Sequence, residues 1–534
     1  MDKISESTVV GGWKIYATAC LLLGFFLLPG INHGIWRPDE PREAGICSEM
    51  SRTGDYLIPR LNGEPFLEKP PLYYAMAASI GSLAKSPSEM PYRMASLIFS
   101  TLSILITFFM VSRQNGRIIG LLAAGILAGS WEFFQISRWI LVDISLVFGV
   151  TLSMFAYLEI QKTAALRYPL LLGLGLGLSF LTKGFVGPAM VFAAVLADLV
   201  RTRDLRVLLK IRPHLVLAIM LGTIVPWVVY LYADGGWPFV REVIVVNNLM
   251  RFTGAPEGAA LGHQHGILFY LERFPRDFLP WTFLFIPALI SSFRTYRDNP
   301  YMSWFIGPFV LLCLASTKRG IYLVPLFPAA AAITACWLSS IPKHKWEVSS
   351  IRLTWAIAIA ACFLPLAGIY FGKWLLSILA FIPSLAVFFL LIRKRAWSEL
   401  NAIHVVPVML IGLFASATVY FEVMKPSQDY LGFTREAVSL AQRKEIHVMK
   451  DDELFEGIVP MVTGKPCKEI DPGGNLESGL YLWVSKEGRR DPIVLKSSTH
   501  ILLEKKINRK RAILASITRI DNGVFTHPSN IPVP

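Results

Sequence analysis

Asp39, Glu40 and Arg42 follow Trp36-Arg37-Pro38, and Glu68 and Lys69 stand directly before Pro70 and Pro71. A carboxylate can deprotonate or orient a hydroxyl nucleophile. Arginine and lysine can hold a phosphate, the first as a planar fork and the second as a point charge. The two prolines fix an extended backbone, so the charge of Lys69 is a positioned one. The stretches 13–31 and 90–111 on either side are strongly apolar, and charges set between membrane spans are costly and usually functional. This pattern points to chemistry on a lipid-linked phosphate at a membrane surface. Each residue also has a plainer reading. Asp39 and Glu40 can cap a helix, Arg42 can pair with Asp39, and Glu68 with Lys69 can anchor the loop at the interface.

Further polar residues recur at the same kind of position. Asp143 closes the run Ser137-Arg138-Trp139-Ile140-Leu141-Val142-Asp143, and a carboxylate there needs a partner or a task. Arg138 is at the wrong spacing to share a helix face with it. Lys183, Lys318 and Arg319 can form a cationic cup for a phosphate leaving group, or can anchor to lipid headgroups. Tyr322 is either beside that cup or an interfacial aromatic. His263 and His265 could join Glu68 around a divalent metal, although two histidines at i and i+2 are as readily surface residues.

These residues must be positioned by membrane helices. The 534-residue chain is 54% hydrophobic and has a mean hydropathy of +0.49. Apolar runs of bilayer-spanning length give thirteen expected spans, near 12–31, 90–111, 118–136, 139–160, 168–181, 185–200, 213–233, 277–293, 301–316, 321–340, 353–371, 373–392 and 404–422. The first reads as a retained span and not a removed signal peptide. The formal charge of +14 gathers in connections near 113–117, 162–167, 201–212, 294–297, 343–352 and 393–395. All six lie on one side, which places the N-terminus in the cytoplasm. The basicity therefore reports membrane topology, and nucleic-acid binding is set aside.

The outer face then holds 32–89, 136–138, 182–184, 234–276, 317–320 and 372, plus the tail after about 423. Polar residues gathered at one rim favour an enzyme over a transporter, which would place them near the midplane. The expected organisation is a transmembrane domain over 1–422, with the first outer loop 32–89 carrying the site. A small soluble α/β domain over 423–534 follows on the outer face, with turn signals such as Asp471-Pro472-Gly473-Gly474. Six cysteines at 20, 47, 313, 336, 362 and 467 show no Cys-x-x-Cys spacing. Cys47 and Cys467 are either a disulfide or free buried thiols.

The Trp-x-Pro-Asp-Glu-x-Arg string at 36–42, Glu68-Lys69-Pro70-Pro71, Leu141-Val142-Asp143, Leu181-Thr182-Lys183-Gly184 and the Lys318-Arg319, Tyr322-Leu323, Pro325 string together resemble the ArnT-like branch of the GT-C membrane glycosyltransferases, which is related to the protein O-mannosyltransferases. The resemblance covers roughly residues 10–420. It implies a multi-span transferase of the bacterial inner membrane with its site and tail in the periplasm. Such an enzyme passes a sugar from a polyprenyl (undecaprenyl) phosphate donor to an envelope acceptor such as lipid A or another glycolipid or glycan. By motif match, Asp39 falls on the family's candidate catalytic acid, Asp143 on its second essential acid, Arg42 and Lys69 on its lipid-phosphate contacts, Glu68 on its metal-ligand glutamate and Tyr322 on the aromatic near the phosphate. Lys318-Arg319-Gly320 stands where ArnT-type members carry lysine-leucine-proline, which leaves the acceptor open. A protein hydroxyl acceptor and a non-enzymatic transporter of lipid-linked sugars are the alternatives. No nucleotide cofactor is implied, and the sequence shows no nucleotide-binding loop.

Overall fold

The computed structural model describes residues 13–35, 39–84, 88–253, 265–294, 299–340, 344–393, 402–442, 444–449, 453–470, 478–486, 499–507 and 510–517. Trp36, Arg37, Pro38, His263 and the turn at 471–474 lie outside them. The chain divides into two compact units. One comprises Met1–Ile31, Leu67–Ala77 and Arg93–Val423, and the other Asn32–Phe66, Ala78–Tyr92 and Met424–Pro534. The tail begins beside the expected boundary. The first loop, expected to belong wholly with the spans, is divided: residues 32–66 group with the tail and the segment holding Glu68 and Lys69 groups with the spans.

The first unit is helical, and it makes this a multi-pass membrane protein. Six helices are long and apolar enough to cross a bilayer by length and composition: Met90–Asn115, Asp143–Lys162, Pro213–Asn248, Gly320–Ser339, Lys345–Ile369 and Ala402–Leu440. Shorter apolar helices span Arg117–Ala128, Thr282–Arg294, Pro300–Leu314 and Trp374–Phe389. Together with Trp13–Phe26, Arg167–Lys183 and Val186–Thr202, a helix lies at each of the thirteen expected segments. The spans differ in environment. Asp143–Lys162 and Gly320–Ser339 are 83% buried and form the centre, whereas Pro213–Asn248 is only 22% buried and leaves most of its surface to the bilayer.

A polar network ties the central helix to its neighbours at the end opposite Asp143. Tyr157 and Gln161 donate to Asp198 Oδ2, each at 2.8 Å, while Arg201 donates to Asp198 Oδ1 and to Ser303. With every member paired, the network fixes helix register without leaving a bare charge. One stretch departs from expectation. Residues beyond 233 were read as loop, but the helix Pro213–Arg241 continues through a kink at Gly236 (φ 66°) and Pro238. It then passes into a nine-residue π-helix, Glu242–Met250, a winding often found at functional sites.

The second unit carries a sheet. Strands β1 (Arg60–Leu61) and β2 (Glu64–Pro65) form a hairpin around Asn62 and Gly63, both at positive φ, as a two-residue turn with an Asn-Gly pair requires. Strands β3 (Ile446–Met449), β4 (Lys468–Ile470), β5 (Gly479–Lys486), β6 (Thr499–Ile507) and β7 (Lys510–Ile517) make a five-stranded sheet in the order β4-β3-β5-β7-β6. β3 is parallel to β4 and β5, and the remaining pairs are antiparallel. Cross-strand pairs Tyr481–Ala515 and Trp483–Ile513 lie in a buried cluster with Met449 and Ile517. This is the expected α/β tail. Cys47 and Cys467 are free and buried. Burial, with help from Glu469, pushes the Cys467 thiol up to about 12.

Candidate active site

The first unit brings Asp143, Lys183 and Tyr322 together. Asp143 opens the central helix and is 4% exposed. Its carboxylate is paired with the Lys183 ammonium, which also lies 4.2 Å from the centre of the Tyr322 ring. Lys183 is thus held between a buried anion and an aromatic face. The partner that the sequence could not supply for Asp143 is this lysine, 40 residues along the chain. Arg138 turns away: it donates to the carbonyls of Phe134 and Pro29 and to Gln135, and packs over the rings of Phe134 and Phe421.

Local structure explains how each residue reaches its place. Lys183 ends the helix Arg167–Lys183, and Gly184 caps it at φ 60°, a conformation that favours glycine. Asn248 locks the turn, accepting from the Phe185 N–H at 2.8 Å and donating to Val243 O at 2.6 Å. A Cβ on Gly184 would stand 2.0 Å from Asn248 Oδ1. The neighbouring Asn247 donates to Glu242 and, at 3.4 Å, to Leu67 O. The π-helix therefore joins the backbone leading into Glu68 and Lys69 to the turn that carries Lys183. Lys69 itself is 9% exposed.

Tyr73 sets the other side. Its hydroxyl accepts from the Leu141 N–H at 3.0 Å and bonds Ser96 Oγ at 2.6 Å, and Ser96 in turn donates to Trp139 O. That chain fixes the turn before Asp143. Asn247, Asn248 and Ser96 escaped the sequence reading because a lone amide or serine on an apolar helix carries no spacing signal.

Lys318 has a different place from the one expected. It is buried, and its ammonium donates to the carbonyls of Ala315 and of His265, the latter at 3.1 Å. It staples the 265 segment to the chain instead of lining an open cup. Arg319 and Tyr322 are half-buried at the start of the segment Gly320–Leu326. His265 is exposed, with its ring stacked on Phe269. Among the described residues no group of three His, Cys, Asp or Glu side chains is placed to hold a metal ion. Glu68 and His265 are the described members of the expected metal set and supply fewer donors than a divalent ion takes, so no step is derived through a metal.

The second unit holds Asp39, Glu40 and Arg42 in the first turn of the helix Asp39–Thr53. Buried Arg42 donates to Glu453 at 2.8 Å and lies 3.3 Å from Glu43 and 3.5 Å from Asp39. Its fork, expected on phosphate, is engaged by three carboxylates and holds Asp39 in place. Glu40 is 1% exposed, whereas Asp39 keeps 23% of its side chain accessible, so of the two Asp39 is the one open to a reactant. The helix is seated by backbone contact with Glu453–Thr463: a Cβ on Gly45 would meet Gly457 Cα at 2.6 Å.

The first unit is thus a multi-span helical bundle with a buried carboxylate–lysine–aromatic group, and the second carries an α/β tail. The chain is similar in sequence to undecaprenyl phosphate-linked aminoarabinose transferases and in fold to ArnT. The family model for dolichyl-phosphate-mannose-protein mannosyltransferase (PMT) matches residues 36–235. The undecaprenyl phosphate-alpha-4-amino-4-deoxy-L-arabinose arabinosyl transferase of Pectobacterium carotovorum is 28% identical over 369 residues, covering 65% of each chain. The protein of that description from Pseudomonas aeruginosa strain LESB58 is 28% identical over 408 residues, 74% of this chain and 68% of its own. The alignment thus spans just under two thirds of the Pectobacterium relative's length. The crystal structure of ArnT from Cupriavidus metallidurans bound to undecaprenyl phosphate shares the fold, with a TM-score of 0.75 and 18% identity over 95% of this chain and 98% of that one.

Proposed function

We propose that the chain is an integral-membrane glycosyltransferase that moves a sugar from undecaprenyl phosphate to an acceptor in the bacterial envelope, with inversion at the anomeric carbon. The observation that carries this reading is the placement of Lys183 between Asp143 and Tyr322, a cation fixed in a dry setting. The fold shared with a protein solved with undecaprenyl phosphate supports it.

Breaking the bond between C1 and the phosphate oxygen passes through an oxocarbenium-like state. The leaving phosphate needs cations more than a proton donor, and Lys183 and Lys69 supply preorganised positive charge. Asp39 accepts the proton of the acceptor hydroxyl as that oxygen attacks C1. Arg42 keeps Asp39 in position, and Asp143 keeps Lys183 in position. A single displacement then inverts the sugar.

A glycolipid or glycan acceptor is the first reading; a protein hydroxyl is the second, favoured by the mannosyltransferase family model over 36–235. The deciding experiment extracts lipids and envelope material from a deletion strain. An undecaprenyl-phosphate sugar should accumulate by mass spectrometry while one glycolipid, glycan or glycoprotein loses that sugar. No accumulating donor and no missing glycan would end the proposal.

The site and the tail are assigned to the periplasmic face, with the N-terminus in the cytoplasm. A reporter fused after Arg395 should read cytoplasmic and one after Pro426 periplasmic. The same side for both would overturn the thirteen-span topology.

A further inference from the structure

Arg273 lies on the helix Phe269–Asp277, which buries Tyr270, Phe274 and Asp277 and exposes Leu271 and Glu272. Its Nε donates to Asp277 Oδ2 at 2.6 Å, one turn along, and Asp277 is 1% exposed. That bond uses one of the five N–H donors of a guanidinium. The four donors on the two Nη atoms have no hydrogen-bond or ion-pair partner among the described residues, and the side chain is 28% exposed.

The guanidinium sits against the segment that carries the site. A Cβ on Gly320 would stand 2.2 Å from Arg273 Nε and 2.8 Å from Asp277 Oδ2, so glycine at 320 is what admits the ion pair there. Two residues on, Tyr322 covers Lys183. Lys318, the cation the sequence offered from this segment, is spent on two backbone carbonyls. Arg273 is a cation at the same segment that keeps its fork.

We propose that Arg273 is a phosphate-binding residue of this site, its two Nη groups forking onto the phosphate of the polyprenyl donor while Asp277 holds the guanidinium plane. The assignment rests on the donor class argued above and adds a residue to its recognition. A planar fork matches two phosphate oxygens, and a carboxylate on Nε leaves that edge already oriented, which lowers the cost of binding. The departure at Lys318-Arg319-Gly320 thereby gains a physical reason: a side chain at 320 would displace the fork.

The test measures binding of undecaprenyl phosphate, with neutral undecaprenol as control, to the full chain in phosphatidylcholine nanodiscs. The wild-type chain should prefer the phosphate. Arg273→Gln should bind it about 10-fold more weakly, Arg273→Lys should recover only part of that loss, and Gly320→Ala should weaken it several-fold by pushing the guanidinium aside. None should change binding of undecaprenol. Unchanged phosphate affinity in a folded Arg273→Gln variant, judged by gel filtration and melting temperature, would assign Arg273 to bilayer headgroups and overturn the proposal. If that variant does not fold, unchanged affinity in Gly320→Ala does the same. A wild-type chain that does not distinguish the two lipids would overturn the donor class itself, a separate and recognisable result.

Discussion

Asp39→Asn is expected to insert and fold normally and to lose at least about 100-fold in sugar transfer, the scale associated with a general base. The substitution keeps size and removes the charge. Asp39 contributes one of the three carboxylates around Arg42, at 3.5 Å and the longest of the three contacts. Glu43 and Glu453 remain to compensate the arginine, so the helix Asp39–Thr53 should stay seated on Glu453–Thr463. The variant should bind undecaprenyl phosphate as the wild type does, because the loss belongs to acceptor deprotonation. Purified protein in nanodiscs, given a donor lipid and the acceptor found in the deletion strain, measures both quantities. Wild-type turnover would remove Asp39 from the reaction and leave it a helix-capping residue. Lost turnover together with lost folding would point to Arg42, and Glu40→Gln then serves as control: Glu40 is buried beside the same turn and should affect stability more than transfer.

The two classes of residue in this site were legible in the sequence to different degrees. The spans could be read because a helix crossing a bilayer must be apolar for most of its length, and that demand writes itself into consecutive residues. Gly184 was legible as a break for a similar local reason. What the sequence withheld was pairing at a distance. Nothing in the run before Asp143 names Lys183, since the two meet only when the central helix packs against Arg167–Lys183. Arg42 looked like a phosphate ligand because its carboxylate partner at 453 lies 411 residues away, and Lys318 looked like one because backbone carbonyls leave no trace in side-chain spacing. Asn247 and Asn248 were missed because a lone amide carries no spacing signal and the π-helix Glu242–Met250 that aims them cannot be read from apolar periodicity. Arg273 was passed over for the complementary reason: an arginine four residues before an aspartate on an amphipathic helix reads as a surface pair, and only its closeness to Gly320 brings it to the site.

Removing Lys183 should have the largest combined effect on stability and activity. Asp143 and Lys183 expose 6% and 13% of their side chains, so Lys183→Met leaves a buried carboxylate without its counter-ion. Breaking such a pair from one side typically costs about 3–5 kcal/mol. Thermal unfolding should report the loss. Asp143→Asn combined with Lys183→Met removes both charges and should recover most of the stability. Transfer should not recover with it. If Lys183 stabilises the departing phosphate, both the single and the double variant should fall about 100- to 1000-fold, the range for loss of one preorganised electrostatic contact. Tyr322→Phe keeps the ring beneath the ammonium and should retain its orientation, since the contact is with the π-face; any drop in transfer there belongs to the hydroxyl. A double variant that regains both stability and turnover would make the Asp143–Lys183 pair a structural clasp between two spans and return the phosphate chemistry to Lys69 and Arg273.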